Sequence, residues 1–170
     1  LGMTGIIYTG AIDLSIASII AVAGTLLGIA AHRGWPAPVC LALCAGGATA
    51  LSVLNGLVIR WARLPAIIVT LAGLAIYRGL ALIMADAAVH GFPGYFSVAS
   101  ENLHGPGRDY PGLLVAMVIG IGLGWEWCAR LPRMWQALGS SEESVRLAGL
   151  APARIQLLAF LVGGMFLGMA

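Results

Sequence analysis

Apolar runs of roughly 17–23 residues recur along this chain, and they decide what it can fold into. Residues 14–31, 37–59 and 65–85 carry a single formal charge between them, Arg78. At 1.5 Å of rise per residue each run is long enough, as a helix, to cross most or all of a hydrocarbon layer about 30 Å thick. Further apolar runs open at Pro111 and at Ile155. Soluble domains carry about 25 % charged residues. Here the share is 9 %, with 60 % hydrophobic residues and a mean hydropathy of +0.96, so a soluble domain is excluded. The expected fold class is all-α: a polytopic helical transmembrane bundle, one domain over residues 1–170, lying in a lipid bilayer.

The interruptions between runs carry the rest of the information. Residues 1–9 read as the tail of a helix, and Gly10 breaks it within the sequence TGAIDLS. Asp13 is an acid among apolar neighbours, and Ser15 is placed to cap the helix that follows. Gly24 and Gly28 have the small-xxx-small spacing suited to close helix packing, as do Gly120 and Gly124; Gly164 and Gly168 lie in the last run. Residues 32–36 form a turn with an interfacial Trp35, and Asn55-Gly56 lies in the second run. Residues 86–110 are a long polar connection. Leu1 starts inside an apolar run and residues 155–170 supply only 16 positions, slightly short for a span. Both ends therefore read as cut, as in an internal fragment of a longer chain.

The longest charged interval is 130–154, RLPRMWQALGSSEESVRLAGLAPAR. Its centre has the marks of a short capped helix over residues 141–148. Ser140 stands three residues before Glu143, the capping-box spacing. Glu142 and Glu143 lie at the positive end of the helix dipole and Arg146 towards the negative end. Glu142 and Arg146 are also four apart, acid before base. Gly149 can take the left-handed C′ conformation, and Pro152 prevents continuation. Such a helix is either an interfacial connector or a handle offered to a soluble partner; in the second case Val145, Leu147 and Leu150 supply apolar contact.

Arginine placement orients the bundle. If 130–154 is cytoplasmic, alternation of spans puts Arg60, Arg63, Arg130, Arg133, Arg146 and Arg154 inside and only Arg33 and Arg108 outside, the positive-inside pattern. Trp61, Trp125, Trp127 and Trp135 then mark the inner interface, and Trp35, Tyr95 and Tyr110 the outer one. The short helix is therefore expected on the cytoplasmic face.

Several chemistries are excluded. All nine basic residues are Arg, so there is no P-loop or Schiff-base lysine. No catalytic Ser/His/Asp set, phosphate loop or nucleic-acid-binding strip is present. His32, His90 and His104 have unrelated spacings, and Cys40, Cys44 and Cys128 form no metal set; Cys40 and Cys44 share an apolar helix face as small hydrophobes. Energy for any work must come from an ion gradient or another polypeptide. An acid in the membrane costs about 2.5–3.5 kcal/mol on the insertion scale, so Asp13 faces protein, water or the interface. It either caps the next helix or shapes a transport path, for which Asp13, Ser15, Asn55 and Arg78 are the candidates. Arg78 is also within snorkelling reach of the outer interface, and Glu126 with Arg130 reads as a surface i,i+4 pair.

Three stretches, in order, resemble the ribose-type branch of bacterial simple-sugar ABC-transporter permeases. Residues 10–24, GAIDLSIASIIAVAG, are similar to that family's Gly-Gly-Ile-Asp-Leu-Ser segment, with Ala11 in place of the second glycine. Residues 54–82 resemble the stretch after its next helix, and Phe92-Pro93 a point in its outer loop. Residues 137–150, ALGSSEESVRLAGL, are similar to its cytoplasmic coupling segment, with Ser140-Ser141 in place of the usual Gly-Asn. The resemblance implies a non-enzymatic permease subunit in a bacterial inner membrane, importing a monosaccharide. It implies work with a second permease subunit, two ATPase subunits and an extracytoplasmic sugar-binding protein. No cofactor is expected on this chain; ATP and Mg²⁺ belong to the partner ATPase. Gly139, Glu142, Glu143, Arg146, Leu147 and Gly149 are then the coupling residues. Other substrates of the same class are nucleosides, branched-chain amino acids or a furanosyl quorum signal. A rival of another class is a gradient-driven carrier with Asp13 as its proton or sodium site and Arg78 as counter-charge.

Overall fold

The computed structural model describes residues 2–85 and 130–168, and over them the chain is helical, without strands. The elements are α1 (Gly2–Tyr8), α2 (Ile16–His32), α3 (Ala37–Ala62), α4 (Ala66–Ala85), α5 (Arg130–Ser140), α6 (Glu142–Leu147) and α7 (Pro152–Gly168). Helices α3 and α4 are long and apolar enough to cross a membrane; α2 and α7 are apolar but shorter, at 17 residues each. The runs expected at 14–31, 37–59 and 65–85 are thus α2, α3 and α4, and the last run is α7. The fourth expected span, Gly120 and Gly124, the 86–110 connection with Phe92-Pro93, Cys128 and the Glu126–Arg130 pair lie outside the described residues.

Burial runs opposite to that of a soluble core. Asp13, Ser15, Ser18, Ser52, Asn55 and Thr70 are buried, while Leu41, Ile68, Ile76, Leu82 and Ile83 are exposed. In lipid there is no hydrophobic drive to pair helices, so contact is made by small residues and hydrogen bonds, and the large apolar side chains face the solvent that suits them. The inward stripe of α3, Cys40, Cys44, Ala48, Ser52, Asn55, Gly56 and Ile59, has this character. Cys40 and Cys44 behave as expected, one turn apart and packed in apolar clusters with α2.

The principal contact is antiparallel, α3 against α7. Gly164 abuts Thr49 and Ser52, Gly168 abuts Ala45, and Phe160 packs on Gly56; Ser52 Oγ donates to the Phe160 carbonyl at 2.7 Å. The expected packing of Gly164 and Gly168 is therefore present. For Gly24, no heavy atom among the described residues lies within 4 Å of where its Cβ would stand. Helix α2 turns Ile19, Val22, Ala23 and Gly28 inward instead, and Gly24 is off that stripe.

Helices α1 and α3 run towards one end of the bundle, where Arg60, Arg63, Glu142 and Arg146 gather, and α2, α4 and α7 run away from it. Between α1 and α2 the chain is not helical. Gly10 reverses it with φ +77°, residues 11–15 carry no regular secondary structure, and Ser15 is already at helical dihedrals, φ −82° and ψ −6°. Thr9, Ala11, Asp13 and Ser15 are buried while Ile12 and Leu14 are exposed, the two-residue alternation of a strand. Non-helical backbone at membrane depth is tolerated where protein covers it, and here Thr70 Oγ1 donates to the Ile12 carbonyl at 3.1 Å.

The charged interval is more built-in than a loop. Its first half is α5, whose Trp135 and Leu138 are buried with Val145, Ile155 and Ala159. Trp135, expected at the interface, is 3 % exposed, lies over Gly5 and donates from Nε1 to the Ile155 carbonyl at 3.2 Å. An indole with its N–H satisfied by backbone can sit inside protein. The expected cap shifts by one residue: Ser140 ends α5, and Ser141 is the N-cap of α6, accepting from Ser144 N at 3.1 Å. The capping box of Ser140 with Glu143 does not form, because α5 continues through Ser140. The other end of α6 is as expected. Gly149 has φ +76°, and Leu150 N–H to Val145 O with Gly149 N–H to Arg146 O closes a Schellman motif.

Candidate functional site

Two constellations stand out. The first is a buried chain of hydrogen bonds joining the non-helical segment 11–15, α3 and α4. Tyr77 Oη donates to Asn55 Oδ1 at 2.8 Å, Asn55 Nδ2 donates to Ser15 Oγ at 2.8 Å, and Ser15 Oγ donates to Asp13 Oδ1 at 2.6 Å. Ser15 N–H also reaches Asp13 Oδ1, at 2.8 Å. All the bonds run one way and end on the carboxyl, so each polarises the next. Asp13 is 1 % exposed, and among the described residues its Oδ2 has no hydrogen-bond partner. The close approach is possible because Gly73 of α4 leaves room for Asn55, Ser15 and the Tyr77 ring.

The structure thus brings Asp13, Ser15 and Asn55 together and leaves Arg78 out, exposed on α4. Tyr77, not singled out from sequence, takes the inward place. The inward stripe of α4 is Val69, Thr70, Gly73, Tyr77 and Ala81, and Arg78 lies about 100° round the helix from Tyr77. That stripe of small and polar residues at three- and four-residue spacing was the available signal. Asp13 does not cap α2 in the simple sense either. It holds the N-cap residue, Ser15, through an Asx turn, and the Ser15 side chain makes no cap bond.

The second constellation is at the Arg-rich end. Glu142 accepts from Arg60 Nη2 at 3.1 Å and from Arg146 Nη2 at 3.4 Å. The expected i,i+4 pair exists, but the pair with α3 is shorter and joins separate elements. The Arg60 hydrogen bond, helped by the charges of Arg60 and Arg146, holds the Glu142 carboxyl below the usual carboxylate range. Val145 is buried and anchors α6 to α5 and α7, so it is not available to a partner. Glu143, Arg146, Leu147, Gly149 and Leu150 are exposed, Leu147 by 81 %. Gly139 is solvent-accessible, yet it abuts the backbone at the end of α1. A Cβ there would run into the Tyr8 carbonyl and come within 3.1 Å of Gly10 N. The six coupling candidates therefore divide. Gly139 and Glu142 bind the segment to the bundle, and Glu143, Arg146, Leu147 and Gly149 are on its outer side.

A cleft of about 760 Å³ opens beside Glu142. Arg60, Arg63, Arg146, Gly10, Ala11 and Gln156 are among its walls. Arg63 holds a left-handed backbone at φ 53°, which a non-glycine residue adopts at a cost of roughly 1–2 kcal/mol. Among the described residues no group of three His, Cys, Asp or Glu is arranged for a metal ion.

These features define an all-α membrane bundle with an internal polar network and a small capped helix fixed to one end. The chain belongs to the family described as the permease component of branched-chain amino acid transport systems, which matches it over residues 1–170. It is 29 % identical over 180 residues to the autoinducer 2 import system permease protein LsrC of Photorhabdus laumondii, covering 100 % of this chain and 51 % of that protein. It is 28 % identical over 173 residues to LsrC of Escherichia coli (strain K12 / DH10B), covering 100 % of this chain and 50 % of that one. The inner membrane ABC transporter permease protein YjfF of Escherichia coli (strain K12) is 30 % identical over 161 residues, 88 % of this chain and 47 % of that protein. The chain thus spans about half the length of the curated relatives it matches. No solved structure matches it.

Proposed function

We propose that this chain is part of the membrane-spanning subunit of an ATP-driven importer for a small sugar-like solute. The observation that carries the reading is α6: a helix capped at both ends, held to the bundle by Val145 and Arg60, with Leu147 exposed on its outer side. A partner ATPase closing on that outer surface moves a rigid body, because the backbone groups at its ends are satisfied internally. The ATP and Mg²⁺ are the partner's, and the chain itself does no bond chemistry. A second permease subunit and an extracytoplasmic binding protein complete the assembly in the bacterial inner membrane, with α6 on the cytoplasmic side.

The substrate is a monosaccharide or, as the names of the autoinducer 2 permeases suggest, a furanosyl signal of similar size. The family description keeps branched-chain amino acids as an alternative. The unpartnered Asp13 Oδ2 favours one reading of another class, a carrier driven by protons or sodium; the exposed Arg78 is not beside it to act as counter-charge. Uptake of labelled substrate by cells expressing the intact transporter separates the two. The ATP-driven reading expects loss on ATP depletion and survival with an ionophore, and the reverse pattern overturns it.

A further inference from the structure

The cleft at the Arg-rich end has more cationic capacity than the coupling role uses. Its lining holds three guanidiniums, Arg60, Arg63 and Arg146, against one carboxylate, Glu142. Glu142 is shared by Arg60 and Arg146; among the described residues Arg63 has no ion pair. On the same lining Gln156, 8 % exposed, has its Oε1 unpartnered among the described residues. Rotated about its last bond, that amide presents an N–H to an anion. The surroundings are those of a membrane interface. Trp61 is 89 % exposed, and Ile12, Leu64, Ile67 and Ile68, on the elements that frame the cleft, are exposed as well.

We propose that this cleft binds the headgroup of an anionic phospholipid, its phosphate held by Arg63 and Arg146 with Arg60 and Gln156 behind. Basic pockets between helices at the cytoplasmic face suit anionic headgroups, and the surface potential of that leaflet concentrates them there. The shared chemistry is a phosphate, which a free ion could also supply. The exposed apolar residues beside the cleft favour the lipid, because acyl chains can lie against them while the headgroup enters between the arginines. The cleft is lined from the Gly10–Ala11 turn, α3 and the turn after it, the start of α4, Glu142 and Arg146 of α6, and α7, whereas Glu143 and Leu147 on the outer surface of α6 are not among its walls. A bound lipid would therefore leave Glu143 and Leu147 to a docked ATPase, meet that surface at Arg146, and brace the Arg60–Glu142 junction from the cleft side.

The test uses the full-length permease, extracted from bilayers of equal phosphatidylglycerol and phosphatidylcholine, with retained lipid measured by mass spectrometry. Each arginine near an anionic surface is worth about five-fold, so phosphatidylglycerol is expected enriched roughly five-fold or more over phosphatidylcholine. In Arg63→Gln/Arg146→Gln the enrichment falls towards the bulk ratio, and Arg63→Lys/Arg146→Lys restores most of it, which a misfolded protein would not do. Excess inorganic phosphate leaves the lipid in place. The proposal is overturned if the double Gln variant retains full enrichment, if phosphate binds with no lipid enrichment, or if only ATPase association responds to the variant. Uptake is not read, so the result does not depend on the transport assignment.

Discussion

Arg60 and Glu142 meet at 3.1 Å across 82 residues of sequence, fastening the last turn of α3 to the first turn of α6. A second fastening lies close by, where Gly139 rests on the backbone of Tyr8 and Gly10. From Arg60 the chain leads back five residues to Asn55; from Gly10 it leads on three residues to Asp13. Those two residues belong to one hydrogen-bonded chain. The Arg60–Glu142 bridge and the Gly139 contact thus attach α6 and the end of α5 to the bundle five and three residues along the chain from members of the buried polar network.

The Arg60–Glu142 pair is half-exposed, so its static contribution is small, about 0–1 kcal/mol. Because Arg60 lowers the Glu142 pKa from 4.5, the stabilisation is present above the unfolded value and is lost as pH falls through the lower folded one. Thermal unfolding of the intact permease in detergent should show a small loss below pH about 4.5 that Glu142→Gln abolishes. The proposed coupling role predicts a larger effect on transport than on stability. Arg60→Glu should reduce uptake strongly, and Arg60→Glu with Glu142→Arg should recover a good part of it. Equal loss in single and swapped variants contradicts the pair.

Gly139→Ala must push α5 off α1, since the added methyl meets backbone and not a side chain that can turn away. Overpacking of this kind costs about 1–3 kcal/mol. Gly24→Ala, into open space, should be neutral or stabilising by up to about 1 kcal/mol from helix propensity alone. Melting temperatures of the two variants give the comparison, and a Gly24→Ala loss as large as that of Gly139→Ala would refute it.

The Tyr77–Asn55–Ser15–Asp13 chain should behave as a unit. Tyr77→Phe leaves Asn55 Oδ1 without its donor and should cost about 1–3 kcal/mol. A double-mutant cycle of Ser15→Ala and Asn55→Ala should give a coupling of about 0.5–3 kcal/mol. Additive losses would mean that the bonds are incidental to one another. Asp13→Asn keeps an acceptor for Ser15 and should leave stability nearly unchanged; any fall in uptake then reports on the charge.

Much of this was legible in the residues and some was not, for identifiable reasons. Helices α2, α3 and α4 follow from apolar length alone, because lipid imposes the length. The C-terminal stop of α6 follows from Gly149, whose backbone freedom has one use at that place. The N-cap moved from Ser140 to Ser141 because two adjacent serines offer the same chemistry and only the packing of Trp135 and Leu138 prolongs α5 to the first of them. Arg60 was missed as a site residue since nothing local marks a pair 82 positions apart. The 11–15 segment was half visible: Gly10 announced the break, while the alternation of exposed Ile12 and Leu14 with buried Asp13 and Ser15 is set by the neighbours Asn55 and Thr70, which nothing local in the sequence marks. Arg78 drew notice as a charge, but its neighbour Tyr77 faces the network.

The division of α6 into an anchored side and an outer side bears most directly on the proposal that an ATPase docks there. Val145→Asp should destabilise the fold by about 3 kcal/mol or more, through a buried unpaired charge, and is uninformative about docking. Leu147→Asp changes an exposed side chain and should leave stability within about 0.5 kcal/mol. The deciding measurement is ATP-dependent uptake and ATPase co-purification for Leu147→Asp in the full-length permease. Normal membrane insertion and melting with loss of both uptake and bound ATPase is the predicted result; full uptake with the ATPase still attached would contradict the account.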